Sequence, residues 1–167
     1  MRPDSNQPGK LYGTAKTHKF DSIDDISIEN LKFRPIISQV GTYTYNAAKV
    51  ISDYLRPLCQ NEFKINDTQS FPSMLLKEPP LNIDEEYVSY DVASLFTNIP
   101  VEETIQYIIN EIYQKKRLPQ ICSKLIFKRL LQKITTESTF QFNYQLFKQT
   151  DGCTMGGPLS VTLADIH

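Results

Sequence analysis

The stretch Ser89-Tyr90-Asp91-Val92-Ala93-Ser94-Leu95-Phe96-Thr97-Asn98-Ile99-Pro100 constrains this chain more than any other. Residues 86–92 read as a short strand, with Tyr87, Ser89 and Asp91 on one face and Val88, Tyr90 and Val92 on the other. Such a strand is suited to burial, yet it closes on a carboxylate. An acid away from water is costly unless it is solvated, paired or bound to a cation. Phe96 follows in the next turn, and Pro100 then opens a helical pattern through Val101, Glu102, Glu103, Thr104 and Ile105. On spacing alone two readings stand. One is a strand-end aspartate bonding to nearby backbone; the other is a chemical site at the edge of a sheet.

The chain around this stretch has 167 residues, enough for one domain with a real core and too few for two large ones. Its net charge of −1 gives no overall nucleic-acid signature, so any basic surface must be local. Cys59, Cys122 and Cys153 are odd in number and form no CxxC pair, and His18 and His167 are the only histidines, so no zinc-ligand spacing can be assembled. Unpaired thiols fit a reducing, intracellular compartment. No apolar run approaches the roughly 18 residues of a membrane span, so no membrane association is expected. The last segment, Leu159 to His167, is an uncapped apolar helical pattern and reads as part of a longer polypeptide.

Residues 10–20 carry Lys10, Lys16, His18 and Lys19 without an acid, and residues 21–29 reverse the sign with Asp21, Asp24, Asp25 and Glu29. A strand follows over Leu31 to Ser38, and its Pro35 suits an edge position. Two strands joined by the acidic loop would hold Lys16, Lys19 and Arg34 on one hairpin, either as solvated charges or as an anion clamp. The spacing then predicts a helix from Thr42 to Leu58 ended by Pro57, and a weaker one over Asp67 to Lys77 disturbed by Pro72. Glu78-Pro79-Pro80 breaks the chain there.

Two amphipathic helices are expected over Pro100 to Gln114 and Gln120 to Ile134, the second facing Ile121, Leu125, Leu130, Leu131 and Ile134 inward. A β-hairpin with its turn near Asn143 covers residues 140–149. It leads into the bend Gly152-Cys153-Thr154-Met155-Gly156-Gly157-Pro158-Leu159-Ser160, which lacks the GK[ST] of a P-loop and is weak evidence alone.

Taken in order, four segments are far more specific: residues 12–19 (YGTAKTHK), 33–38 (FRPIIS), 90–100 (YDVASLFTNIP) and 152–160 (GCTMGGPLS). Together they resemble the reverse transcriptase domain of Penelope-like retroelements, over nearly the whole chain from Lys10 to Ile166. That resemblance implies an α+β right-hand polymerase fold, with residues 1–80 as fingers and 81–167 as part of the palm. It implies a fragment of an RNA-directed DNA polymerase, with RNA template, DNA primer and dNTPs as partners and two Mg²⁺ ions as cofactor. By the same resemblance Asp91 is the catalytic metal-binding aspartate, and the Val92 carbonyl adds a ligand. Phe96 is the aromatic gate beneath the incoming sugar. Lys16, Lys19 and Arg34 meet the triphosphate, and Gly152, Met155, Gly156, Pro158 and Ser160 hold template base and nucleotide. Met155 replaces the glutamine common in retroviral and group II intron enzymes. No Tyr/Phe-x-Asp-Asp segment, the source of the remaining metal-binding acids, occurs in the chain. The 167 residues alone are therefore expected to lack polymerase activity. A non-catalytic remnant that binds nucleic acid or a protein partner is the alternative, and an unrelated nuclease using Asp91 a third.

Overall fold

The computed structural model describes residues 7–17, 27, 29, 31–61, 63–65, 67–136 and 138–167. Lys19 and most of the acidic loop lie outside these residues. The fold is mixed α+β: a four-stranded sheet of order β2-β1-β3-β4 beside a group of helices.

β1 (Gly9–Ala15) and β2 (Phe33–Ser38) pair antiparallel from Lys10 opposite Ser38 to Ala15 opposite Phe33. β2 is an edge strand, as Pro35 requires. The N–H of Ile37 points outward to Met155 O at 2.8 Å, so the nitrogen of Pro35, two residues earlier, faces the same outer side and removes no bond from the β1 ladder. β3 (Thr139–Phe142) runs parallel to β1 and forms a hairpin with β4 (Gln145–Lys148). Asn143 and Tyr144 both have positive φ, +47° and +63°, as a two-residue hairpin turn with the right twist demands.

The core lies among the helices. α1 (Tyr45–Leu55) continues as a 3-10 turn through Cys59, with Pro57 inside it, and buries Ala48, Ile51, Leu55 and Leu58. α4 (Val101–Tyr113) buries Ile105, Ile108, Ile109 and Ile112 against α5 (Lys124–Thr136) and α6 (Pro158–Ile166). From α5 the inward residues are Phe127, Leu131 and Ile134; Ile121 and Leu125, expected inside, are exposed. The helix begins only at Lys124, so Ile121 precedes it, and Phe127 takes the inner position that the spacing had given to Leu125. Phe127 packs edge-on to Tyr54 at 5.8 Å between centroids and tilted to Tyr113 at 6.4 Å.

The end of α4 is closed by charge. Glu111 is buried and receives Lys115 at 2.6 Å and Arg117 at 3.1 Å, while Lys116, at φ +55°, turns the chain back so that Arg117 N–H reaches Glu111 O. Those cations hold the Glu111 carboxyl below its ordinary range against the opposing effect of desolvation. The short helix α2 (Ser70–Leu75) buries nothing.

The expected central strand over residues 86–92 does not form. The segment belongs to no ladder, and Tyr87, Val88, Tyr90 and Val92 are 65%, 62%, 89% and 62% exposed. A strand needs a partner's ladder and cover for its apolar face, and among the described residues the sheet of β1 to β4 does not include residues 86–92.

Candidate functional site

Five of the expected site residues are brought together by two backbone bonds to one loop. Gly152 and Gly156 adopt φ of +65° and +109°, conformations that disfavour a Cβ. This lets residues 152–157 approach two other segments closely. Cys153 N–H donates to Phe96 O at 2.7 Å, and Ile37 N–H donates to Met155 O at 2.8 Å. The first bond fixes the single turn α3 (Leu95–Asn98), entered through Ser94 at φ +52°. The second fixes edge strand β2. A Cβ on Gly152 would stand 2.5 Å from Phe96 O, and one on Gly156 2.9 Å from Ile37 O, so neither approach survives a side chain.

Between these segments and α1 opens a cleft of about 660 Å³. Arg34, Phe96, Met155, Gly156 and Pro158 all line it, five of the expected site residues drawn from three distant parts of the chain. α1 supplies its other wall. Lys49, Ser52 and Asp53, with Arg56 at the start of the 3-10 turn, recur at helical spacing on the face flanking the buried Ala48, Ile51 and Leu55. Tyr12 and Tyr45 add aromatic surface. Three cations against one acid make the cleft locally positive in a chain of net charge −1. Arg56 is paired with Asp53 at 2.6 Å, and both side chains are well exposed, so the pair is easily exchanged for another anion. Sequence reasoning missed Lys49 and Arg56; the polar stripe on α1 was the available signal.

The remaining expected residues stand elsewhere. Lys16 is half-buried just past β1, its N–H bonded to Lys32 O, and it does not line the cleft. Gly152 serves the loop–turn contact. Ser160 is buried, its hydroxyl 3.5 Å from that of Thr154. A second cavity of about 720 Å³ follows α1 and α6 further along and holds Arg56, Lys64 and Asp165, but only Pro158 of the expected site residues.

Asp91 and Val92 lie on the exposed, unpaired segment and not in the cleft wall. Among the described residues no group of three or more His, Cys, Asp or Glu side chains is arranged to hold a metal ion. One carboxylate with one carbonyl does not fit a site for two hard dications, each of which needs several oxygen ligands. No chemical step through Mg²⁺ is therefore assigned to these residues. Nor is any helix among the described residues long and apolar enough to cross a membrane.

What the cleft can do chemically is bind. It offers guanidinium and ammonium groups to phosphate, an aromatic ring beside them, and a glycine-lined wall that admits close approach. No family model, no curated protein and no solved structure matches this chain.

Proposed function

We propose that this chain is the fingers and part of the palm of an RNA-directed DNA polymerase of the Penelope-like type, and that its cleft receives the incoming dNTP. One observation carries the reading. Arg34, Phe96, Met155, Gly156 and Pro158, singled out by motif from separate segments, line a single positively charged cleft. Arg34, with Lys49 and Arg56, serves the triphosphate; Phe96 faces the sugar. Mg²⁺, RNA template and DNA primer belong to the complete enzyme, with Asp91 as one of its metal ligands.

Titration of the 167-residue chain with a fluorescent N-methylanthraniloyl dATP tests the binding half. The chain has no tryptophan, so the signal is read from the nucleotide. Arg34→Ala should weaken binding about tenfold, the loss of one charge-assisted phosphate contact. Lys148→Ala, on the exposed strand β4, should leave it unchanged. Absence of binding, or equal effects of the two substitutions, refutes the assignment. Primer extension with Mg²⁺ and all four dNTPs should give no product from this chain alone, and robust product would overturn the division of the metal site. A non-catalytic reading, nucleic-acid binding without turnover, is favoured by the exposure of Asp91 and by there being, among the described residues, no group of three or more His, Cys, Asp or Glu arranged to hold a metal ion. Tight binding of oligonucleotide with none of dNTP would select it.

A further inference from the structure

The glycine-rich wall of the cleft is held at a third point, by a residue that no motif marks. Gln39 follows β2 and is only 5% exposed. Its side-chain amide donates to Ser138 Oγ at 2.8 Å and to Thr154 Oγ1 at 3.0 Å. Its backbone carbonyl accepts from Thr42 N–H at 3.1 Å and Thr42 Oγ1 at 2.8 Å, closing the turn that leads to α1. Its Oε1 lies 2.8 Å from where a Gly157 Cβ would stand, so the side chain is wedged against the loop.

Three parts of the molecule therefore meet on one buried amide: the end of β2, the entry to β3, and residues 154–157 of the cleft wall. A buried amide with both N–H groups in use is costly to disturb, because each hydroxyl it bonds would need another partner in a closed space. The contact at Thr154 lies between the two backbone anchors of the loop, Cys153 N–H to Phe96 O and Ile37 N–H to Met155 O. Losing it frees Thr154, the residue from which the Met155–Pro158 wall continues, while the neighbouring backbone bonds at Cys153 and Met155 remain.

We infer that Gln39 is a positioning residue that sets the Met155–Pro158 wall of the cleft through its bond to Thr154, while its bond to Ser138 serves only the hairpin. The consequence for dNTP affinity rests on the function proposed above; the consequence for the loop does not.

Three near-isosteric substitutions in the full chain separate these bonds. Gln39→Met removes both, Thr154→Val removes the loop end, and Ser138→Ala removes the hairpin end. Amide hydrogen exchange of Met155, Gly156 and Gly157, followed by NMR without nucleotide, should quicken about tenfold in Gln39→Met and in Thr154→Val. Ser138→Ala should match the wild type there. The double variant Gln39→Met/Thr154→Val should be no faster than either single one, since both remove the same bond. In the nucleotide titration the first two substitutions should weaken binding about five- to tenfold and Ser138→Ala should not.

Should Gln39→Met fail to fold, Thr154→Val against Ser138→Ala still decides the matter. Equal loop exchange in those two overturns the inference, as does acceleration that follows global stability in all three. A wild-type chain that binds no nucleotide refutes the dNTP reading, and the exchange data then judge Gln39 by themselves. Wild-type binding unaffected by Gln39→Met overturns its positioning role and leaves the dNTP reading standing.

Discussion

Gly152→Ala is the perturbation that most directly tests how the cleft is built. Gly152 holds φ at +65°, and the left-handed conformation costs a residue with a Cβ ~1–2 kcal/mol. The new methyl would also stand 2.5 Å from Phe96 O and closer still to Thr97 O. Ordinary contact between such atoms begins near 3.4 Å, so the turn carrying Phe96 must withdraw by roughly 0.7–1 Å. That movement stretches the 2.7 Å bond from Cys153 N–H to Phe96 O, a further loss of about 1 kcal/mol. Against this, alanine restricts the unfolded chain and returns roughly 0.4–1 kcal/mol. The net expectation is destabilisation by about 1–2.5 kcal/mol.

Urea unfolding followed by far-ultraviolet circular dichroism measures it. With a slope of roughly 2 kcal/mol per molar urea, the midpoint should fall by about 0.5–1.3 M. Two companion substitutions isolate the cause. Gly152→Asn tolerates positive φ yet still carries a Cβ, so it should recover only the conformational part. Gly13→Ala places its methyl 3.1 Å from the exposed Phe33 ring and 3.3 Å from Phe33 Cβ, contacts relieved by a few tenths of an ångström of movement at this sheet surface, and should change stability by less than about 0.5 kcal/mol. If Gly152→Ala unfolds at the wild-type midpoint, or Gly13→Ala loses as much, the close approach of loop and turn is not what the fold depends on.

Three further outcomes follow from the packing and the charges. Phe127→Ala should destabilise by about 3–5 kcal/mol in the same urea assay, because the ring is fully buried between Tyr54 and Tyr113; a loss under 1 kcal/mol would place it outside the core. Glu102, bonded to Lys128, Gln132 and Gln106, is held down to about 2 from an ordinary 4.5. Its folded-state pKa is depressed, so its contribution is complete above about pH 4.5 and is lost as the pH falls towards 2. Midpoints measured from pH 5 to 2 should therefore fall less steeply in Glu102→Gln, by a small margin because the group is exposed, and identical pH profiles would refute the α4–α5 latch. Thiol labelling of the native chain should modify Cys122 first. Cys59 and Cys153 are buried, and burial pushes the Cys153 thiol up to about 11, so both should react only as the chain opens; rapid modification of all three would contradict the core.

The elements legible in the sequence were those whose cause is local. Pro35 announced an edge strand, Asn143 a hairpin turn, and the Ile105, Ile108, Ile109 and Ile112 stripe a buried helix face, each through chemistry contained within a few residues. Residues 86–92 had an equally clear pattern and form no strand, because a ladder needs a partner that local pattern cannot supply. Leu125 and Phe127 show the same limit on a smaller scale. Both are apolar and two residues apart, and only the packing partners Tyr54 and Tyr113 decide that Phe127 is the one that turns inward. Gln39 was illegible for another reason: a lone polar residue after a strand has no pattern, and its worth depends on two hydroxyls about a hundred residues away.

The candidate site divides along the same line. Its cleft wall is tied at three points: Cys153 N–H bonds to Phe96 O, and Met155 O and Thr154 Oγ1 are bonded by Ile37 and Gln39 at the end of β2. A binding surface that must meet a ligand at fixed distance needs every one of these ties, because a shift of tenths of an ångström already costs affinity. Asp91 has no comparable support: its neighbours are exposed and its segment unpaired. A metal ligand without orienting partners gives up most of the advantage of preorganisation. The two halves of the proposed chemistry, holding a nucleotide and holding its metal ions, are thus built to different degrees in this chain. Substitutions in the cleft wall should accordingly change nucleotide affinity here, whereas Asp91→Asn should leave both affinity and stability of the 167-residue chain within error. A marked loss of either in Asp91→Asn would mean that the acid already has partners, and would require residues 86–92 to be ordered against the rest of the fold.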